Sequence, residues 1–185
     1  MNFNEHSNLE GLHAFLSPSN YHWLNYDEDK LIKTRQNYDA AKIGTRYHAF
    51  ACECILLGQK LPKSKKTLNM YVNDAIGYKM TPEQILYFSE NCFGTADAIS
   101  YRKNALRIFD YKSGTTPASM KQVEIYAAIF CLEYNVNPKD IETIDLRIYQ
   151  NDEVFLSEPE PEEITEICNH IIFCDKVLNE MKGAY

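Results

Sequence analysis

The sequence predicts an α/β protein in which a mixed central sheet is flanked by helices. Apolar residues at spacings of three and four indicate helices at Asp39 to Leu57 and at Glu162 to Lys182. Strand-like runs occupy Gln84 to Ser89, Cys92 to Tyr101 and Ala105 to Lys112. Because the links between these three runs are short, they are expected to pair as a meander, with helices on either side of them in the chain.

Helix signals also precede and follow the Asp39 helix. Ser17-Pro18 is typical of an N-cap followed by proline at the first helical position, and it predicts a helix through Leu24. Gly58 is expected to end the Asp39 helix. The basic segment GQKLPKSKK then leads to a predicted helix from Thr67 to Tyr78.

The second half of the chain alternates in the same way. Thr81-Pro82 is expected to break the chain before the first strand, and the turn Ser113 to Pro117 follows the third. A helix is predicted over Ala118 to Tyr134, closed by Asn135 to Lys139. Ile141 to Gln150 has strong strand character. The predicted order is helices, three strands, helix, strand, helix.

Length and composition indicate one domain. A chain of 185 residues with 45% hydrophobic content can bury one substantial core but is short for two. We therefore expect a single domain over residues 1–185. It would have a helical N-terminal segment at 1–39, the core motifs at 40–150 and a C-terminal helix at 160–182.

The charge of the chain limits how it can hold a polyanion. The formal net charge is -7, which argues against a protein that coats nucleic acid by bulk electrostatics. Any DNA-binding surface would therefore be local. The densest run of positive charge consists of Lys60, Lys63, Lys65 and Lys66. Acidic residues concentrate instead near the C-terminus. Either run taken alone is typical of ordinary solvated surface.

No targeting or membrane signal is visible in the sequence. The N-terminal MNFNEHSNLEG lacks a basic start and an apolar segment, and no stretch approaches the roughly 18 apolar residues of a membrane span. We expect a cytoplasmic protein that does not contact the membrane. Its six cysteines would then remain thiols, and their spacing predicts no structural zinc.

Two acids and a lysine carry the chemistry. Asp110 and Lys112 share one face of a strand because side chains alternate with a period of two. The segment YRKN is a plausible hairpin connection that would bring Asp97 beside Asp110. Two convergent carboxylates can bind a hard cation, and a neighbouring lysine can position water. The competing interpretation is a structural ion pair between Asp110 and Lys112.

Two helical pairs add polar groups to this set. His48 lies four residues after Gly44, and Tyr126 lies four residues after Gln122, so each pair shares a helix face. The missing side chain at Gly44 would allow a close approach. A satisfied core histidine and a partly buried tyrosine stripe are the ordinary alternatives.

Four motifs in this order resemble the PD-(D/E)XK nuclease superfamily, in particular its RecB-like branch, which includes CRISPR-associated nucleases and phage recombination exonucleases. The motifs are Gly44-x-x-x-His48, Gly94-x-x-Asp97, Asp110-Tyr111-Lys112 and Gln122-x-x-x-Tyr126. The GTAD segment lacks the proline that gives the superfamily its name. The resemblance implies a restriction-endonuclease-like αβββαβ core.

The resemblance also implies roles for individual residues. Metal ligands for Mg²⁺ or Mn²⁺ would be His48, Asp97, Asp110 and the backbone carbonyl of Tyr111. Lys112 would orient the attacking water, while Gln122 and Tyr126 would line the catalytic site. Some relatives hold an iron-sulfur cluster on four cysteines, but Cys168 and Cys174, preceded by Cys131, are too few and too spread, so no cluster is expected here.

The sequence therefore predicts a divalent-metal-dependent deoxyribonuclease, an exonuclease of phage-type recombination or DNA processing. DNA is the expected partner, with a recombination or annealing protein and a second copy of the chain as further candidates. The alternative is a catalytically silent nuclease-fold protein that binds or regulates a DNA-processing complex. The small, acidic surface motivates that alternative, and the Asp97, Asp110 and Lys112 set argues against it.

Overall fold

The computed structural model describes residues 14–182, so the first 13 residues of the predicted N-terminal segment lie outside the described part. In chain order the elements are a 3₁₀ helix (Pro18–Asn25), α1 (Glu28–Leu57), α2 (Thr67–Gly77), β1 (Thr81–Ser89), β2 (Cys92–Arg102), β3 (Ala105–Tyr111), α3 (Lys121–Tyr134), a 3₁₀ turn (Pro138–Asp140), β4 (Thr143–Gln150), β5 (Glu153–Ser157) and α4 (Pro161–Lys182). None of the helices within residues 14–182 combines the length and the hydrophobicity of a membrane span.

The five strands form one mixed sheet in the order β1-β2-β3-β4-β5. β3 and β4 run parallel, and the other three pairs are antiparallel. The parallel pair requires a crossover, which α3 supplies between β3 and β4. The predicted α/β class, a mixed sheet flanked by helices, is confirmed.

The β2–β3 hairpin forms where the sequence predicts it. Lys103 and Asn104 both have positive φ, at 51° and 55°, the conformation that a type I′ hairpin turn requires. The strand β5 is an addition that the sequence analysis missed. Its hairpin turn, Asn151 and Asp152, has the same conformation, so the Asn-Asp pair was the available signal.

Several predicted boundaries are wrong. Pro18–Asn25 is a 3₁₀ helix, and α1 begins at Glu28, well before Asp39. Asp27 explains the early start, since its carboxylate accepts the N–H of Lys30 at 2.8 Å as an N-cap does. Thr81-Pro82 does not break the chain. β1 includes Pro82 because an edge strand tolerates a missing N–H.

The chain divides into two compact units between Ile43 and Gly44. In the first, the rings of Phe15 and Tyr38 lie 5.4 Å apart, and Trp23 Nε1 donates to the carbonyl of Ser17 at 3.0 Å. The second unit holds the whole sheet. The single domain expected over residues 1–185 remains a prediction.

Two apolar layers cover the sheet in the second unit. One face packs against α3 and α4, with Leu106, Ile108 and Leu146 among its buried residues. The opposite face packs against α2 and the second half of α1, through Phe109 and Tyr149. The sheet is therefore buried on both sides, and its strand ends are left to carry polar groups.

The alternation of side chains breaks at Asp97. Ala96 packs in the layer of α3 and Ala98 in the layer of α2, although residues two apart in a regular strand share a face. On β1, Glu83 has a φ of 49°, a left-handed value that is rare in a strand. The pairs Pro82↔Ala98 and Gln84↔Ala96 flank these two residues. The β1–β2 ribbon therefore bends where Glu83 faces Asp97.

Candidate metal centre

Three carboxylates lie in one row across β1, β2 and β3. The strand pairs on either side of Glu83 place it opposite Asp97. The pair Ala98↔Phe109, continued by one residue, places Asp97 opposite Asp110. Since neighbouring strands are about 4.8 Å apart, the row brings three acids close together. The exposed fraction of the side chain decreases along the row, from 42% at Glu83 to 3% at Asp110.

His48 of α1 completes the row. Its Nδ1 lies 3.5 Å from Asp97 Oδ1 and 3.9 Å from Glu83 Oε1. One ligand atom from each of His48, Glu83 and Asp97 lies within 4.8 Å of the others. The His48 ring packs edge-on against Tyr111, with ring centroids 5.3 Å apart. Carboxylate oxygens suit Mg²⁺ and Mn²⁺, and the imidazole nitrogen is a softer ligand than Mg²⁺ prefers.

The backbone of β3 orients Asp97. Asp97 Oδ2 accepts a hydrogen bond from the N–H of Tyr111 at 2.8 Å. The Asp97 side chain therefore replaces a hydrogen bond between strands at the point where β2 bends. Oδ1 is left as the atom nearest to His48. The metal-ligand role expected of the Tyr111 carbonyl stays a prediction.

Asp110 and Lys112 are paired as the alternation of β3 predicts. Lys112 Nζ lies 3.0 Å from Asp110 Oδ1 and 2.9 Å from Oδ2. Only Oδ1 is aligned for a hydrogen bond, so the buried Oδ2 accepts none from the described residues. Lys112 also donates to Gln122 Oε1 at 2.9 Å. The ammonium group is thus held between β3 and α3.

The pKa values of Asp110, Glu83 and His48 are all raised, which indicates an excess of negative charge at the site. Burial raises the pKa of Asp110 to about 6, and the charge of Asp97 adds to the increase, while Lys112 opposes it. Burial and Asp97 also raise the pKa of Glu83. The hydrogen bond to Asp97 raises the pKa of His48 above its ordinary value. A cation in this row would offset the repulsion among the acids.

Tyr126 explains the glycine of the Gly94-x-x-Asp97 segment. A Cβ at Gly94 would lie 3.0 Å from Tyr126 Cε1 and 3.3 Å from its hydroxyl oxygen. The ring of Tyr126 therefore packs against the backbone of β2, three residues before Asp97. Burial raises the pKa of Tyr126, and a hydrogen bond with Gln122 opposes this. The two α3 residues named from the sequence thus lie at the same site as Lys112.

Gly44 lets the loop after Lys112 approach α1. A Cβ there would lie 2.8 Å from Ser113 Oγ, closer than real contacts allow. We expect Gly44→Val to lower the free energy of unfolding by about 1 to 3 kcal/mol, because overpacking pushes this loop outward. Urea unfolding measures the change. Gly77→Ala is the matched control, since nothing lies within 4 Å of its Cβ, and it should be neutral or stabilising. Equal effects of both substitutions would contradict the close packing at Gly44.

Glu83 is the residue that the sequence analysis missed. It follows a proline near the start of an edge strand, and only the register with Asp97 reveals its place. Glu53 lies five residues after His48 on α1. It is absent from the cluster of His48, Glu83 and Asp97, but it lines a cavity that His48 and Glu83 also line.

The sequence matches no protein-family model, and a search of curated proteins finds no significant similarity. The chemistry of the site must therefore be inferred from the positions of its residues. Four polar elements converge there: α1 with His48, the β1–β2 bend with Glu83 and Asp97, the end of β3 with Asp110, and α3 with Gln122.

Proposed function

We propose that the protein is a divalent-metal-dependent DNA nuclease with a restriction-endonuclease-like core, acting as an exonuclease in phage-type recombination or DNA processing. The observation that carries the proposal is the convergence of His48, Glu83 and Asp97 beside the Asp110–Lys112 pair. A structural ion pair needs neither the histidine nor the two further acids. The antiparallel β1-β2-β3 meander, joined to β4 through α3, supports the core assignment.

The donor atoms define which residues would hold Mg²⁺ or Mn²⁺. His48, Glu83 and Asp97 are near enough to share one ion, and Asp110 is next in the row. The ion would polarise the scissile phosphate and stabilise the charge that develops on it. Both cations prefer oxygen ligands, and the imidazole nitrogen disfavours the harder Mg²⁺ of the two.

Lys112 would act on water in this proposal. Asp110 and Gln122 fix its ammonium group, so its direction is set before substrate binds. A fixed lysine can orient a water molecule for attack on phosphorus, and preorganised groups of this kind accelerate reactions without rearranging.

The test is cleavage of labelled linear and circular DNA, single- and double-stranded, with Mg²⁺, Mn²⁺ or EDTA. We expect metal-dependent hydrolysis of linear DNA that EDTA abolishes and that circular DNA resists. The control is Asp97→Asn, which keeps a similar shape but removes a central ligand charge. If the folded wild type cleaves none of these substrates, the alternative of a silent binding or regulatory protein replaces the nuclease.

Metal binding should release protons at pH 6 and far fewer at pH 8. A ligand must lose its proton to bind the cation, and the raised pKa values of His48 and Asp110 leave part of the site protonated at pH 6. Calorimetric titration of Mn²⁺ in two buffers with different ionisation enthalpies measures the release. Asp110→Asn should release fewer protons than the wild type. Equal heats in both buffers at pH 6 would contradict the titrating site.

A further inference from the structure

Two cavities of opposite character flank the row of acids. The first, here called the α1 cavity, encloses about 560 Å³ and is lined by His48, Ala49, Glu53, Leu56, Leu57 and Glu83, among others. The second, the α2 cavity, encloses about 490 Å³ and is lined by Tyr47, Lys66, Thr67, Asn69, Lys112 and Ser113, among others. Each cavity shares at least one residue with the site, so both open directly onto it.

The α1 cavity is apolar but carries negative charge. Leu56 and Leu57 are 69% and 68% exposed and give this side of α1 an apolar surface. The charged members of the lining are Glu53 and Glu83, with His48 at the border of the site. With Glu83 bound to the cation, a phosphate deeper in this cavity would meet the carboxylate of Glu53 and no lysine or arginine from the lining. A neutral, flat, partly apolar group suits it better.

The α2 cavity has the opposite preference. Lys66 and Lys112 supply positive charge, and Tyr47, Asn69 and Ser113 supply hydrogen-bonding groups. The one acid in its lining, Asp152, accepts the N–H and the hydroxyl of Thr67 at 2.8 and 3.0 Å. Its charge is therefore directed at the start of α2. Phosphate groups suit this side, and the lysine run continues from it.

We infer that the α1 cavity binds the terminal nucleoside of a DNA strand whose end carries a hydroxyl group, while the phosphates on the other side of the scissile bond follow the α2 cavity. This inference rests on the proposed function. The inference follows from the order of charges from the α1 cavity to the α2 cavity. The α1 cavity contributes the acid Glu53, the row of acids lies next, and the α2 cavity contributes Lys112 and Lys66. Only a strand end has a nucleoside without a further phosphate. In the hydrolysis that fits this arrangement, water oxygen bonds to phosphorus, the phosphate leaves with the released nucleotide, and the oxygen on the shortened strand takes a proton, so the new end again carries a hydroxyl group.

The test compares cleavage of DNA strands whose ends carry either a hydroxyl or a phosphate, with each end varied separately. We expect a terminal phosphate at the attacked end to slow cleavage by about tenfold or more, because it adds charge opposite Glu53. Glu53→Gln should reduce this ratio. Glu142→Gln, an exposed acid before β4 at the far end of the strand, is the matched control and should leave the ratio unchanged.

A binding measurement separates this inference from the proposed function. Lys112→Ala protein with Ca²⁺ should bind the hydroxyl-ended strand more tightly than the phosphate-ended one, and adding Leu56→Ala and Leu57→Ala should weaken both. Metal-dependent cleavage with equal or faster hydrolysis of phosphate ends would overturn the α1 cavity assignment and leave the nuclease standing. Absence of any cleavage by the folded wild type would overturn both.

Discussion

Lys112→Ala is expected to lower the rate of DNA hydrolysis by roughly 10² to 10⁴, the range that a positioned acid-base or water-orienting group contributes. The expectation follows from the position of Nζ, which Asp110 and Gln122 hold in place. Because the lysine acts on water more than on the cation, metal binding and much of the DNA binding should remain. Single-turnover cleavage and DNA binding in Ca²⁺ measure the two effects separately.

The control for Lys112 is another lysine in an ion pair. Lys139 lies 3.1 Å from Glu162 on the surface, and Lys139→Ala should leave the cleavage rate unchanged. Lys112→Ala also leaves the buried Asp110 without its counter-ion, so its pKa should rise further. Folding must therefore be checked by thermal unfolding. A folded Lys112→Ala protein that cleaves within about threefold of the wild type would remove Lys112 from the mechanism.

Asp110→Asn is expected to stabilise the protein in EDTA at pH 7.5 by roughly 1 to 3 kcal/mol, because it deletes a buried charge whose folded-state pKa is about 6. It should also remove most of the stabilisation by metal. For the wild type, Mg²⁺ or Mn²⁺ at a hundredfold its dissociation constant should add about 2.7 kcal/mol. Urea unfolding with EDTA, Mg²⁺ and Mn²⁺ measures both effects.

The pH dependence of this effect has a definite sign. The pKa of Asp110 rises from 3.8 to about 6 on folding, so the folded protein holds the proton more tightly. The contribution of Asp110 to stability is therefore greatest below pH 3.8, falls between 3.8 and about 6, and stays reduced above. The advantage of Asp110→Asn over the wild type should grow as the pH rises from 4.5 to 7.5.

Asp152→Asn is the matched control, because the hydrogen bonds from Thr67 lower the pKa of Asp152 instead of raising it. The substitution should reduce stability at pH 7.5 and have less effect at acid pH. If metal does not stabilise the wild type and Asp110→Asn is less stable than the wild type, Asp110 and Lys112 form a structural ion pair and not a catalytic one. That result would also remove the proposed metal centre.

Local signals in the sequence predicted much of the second unit. The period of two in β3 placed Asp110 and Lys112 together, and the YRKN turn joined β2 to β3, because both depend on neighbouring residues. Glu83 could not be found in this way. Its place depends on the register of β1 against β2 and on a left-handed backbone conformation, neither of which has a local pattern.

The cavities were equally out of reach of the sequence. Glu53 and His48 are five residues apart on α1, so they project about 140° apart around the helix. Both nevertheless line the α1 cavity. Glu83, which also lines this cavity, belongs to β1, and the sequence predicted that this strand begins only at Gln84. Packing between helix and sheet decided this geometry, and periodicity within one element could not reveal it.

The bent start of β1 also affects how copies of the chain meet. An open sheet edge offers unpaired N–H and C=O groups to which a strand of another molecule can add. Pro82 has no N–H to offer, Glu83 turns the backbone to a φ of 49°, and the N–H of Tyr87 is taken by Glu133 Oε2 at 2.9 Å. The bend that directs a carboxylate at His48 therefore also makes this edge a poor template for aggregation.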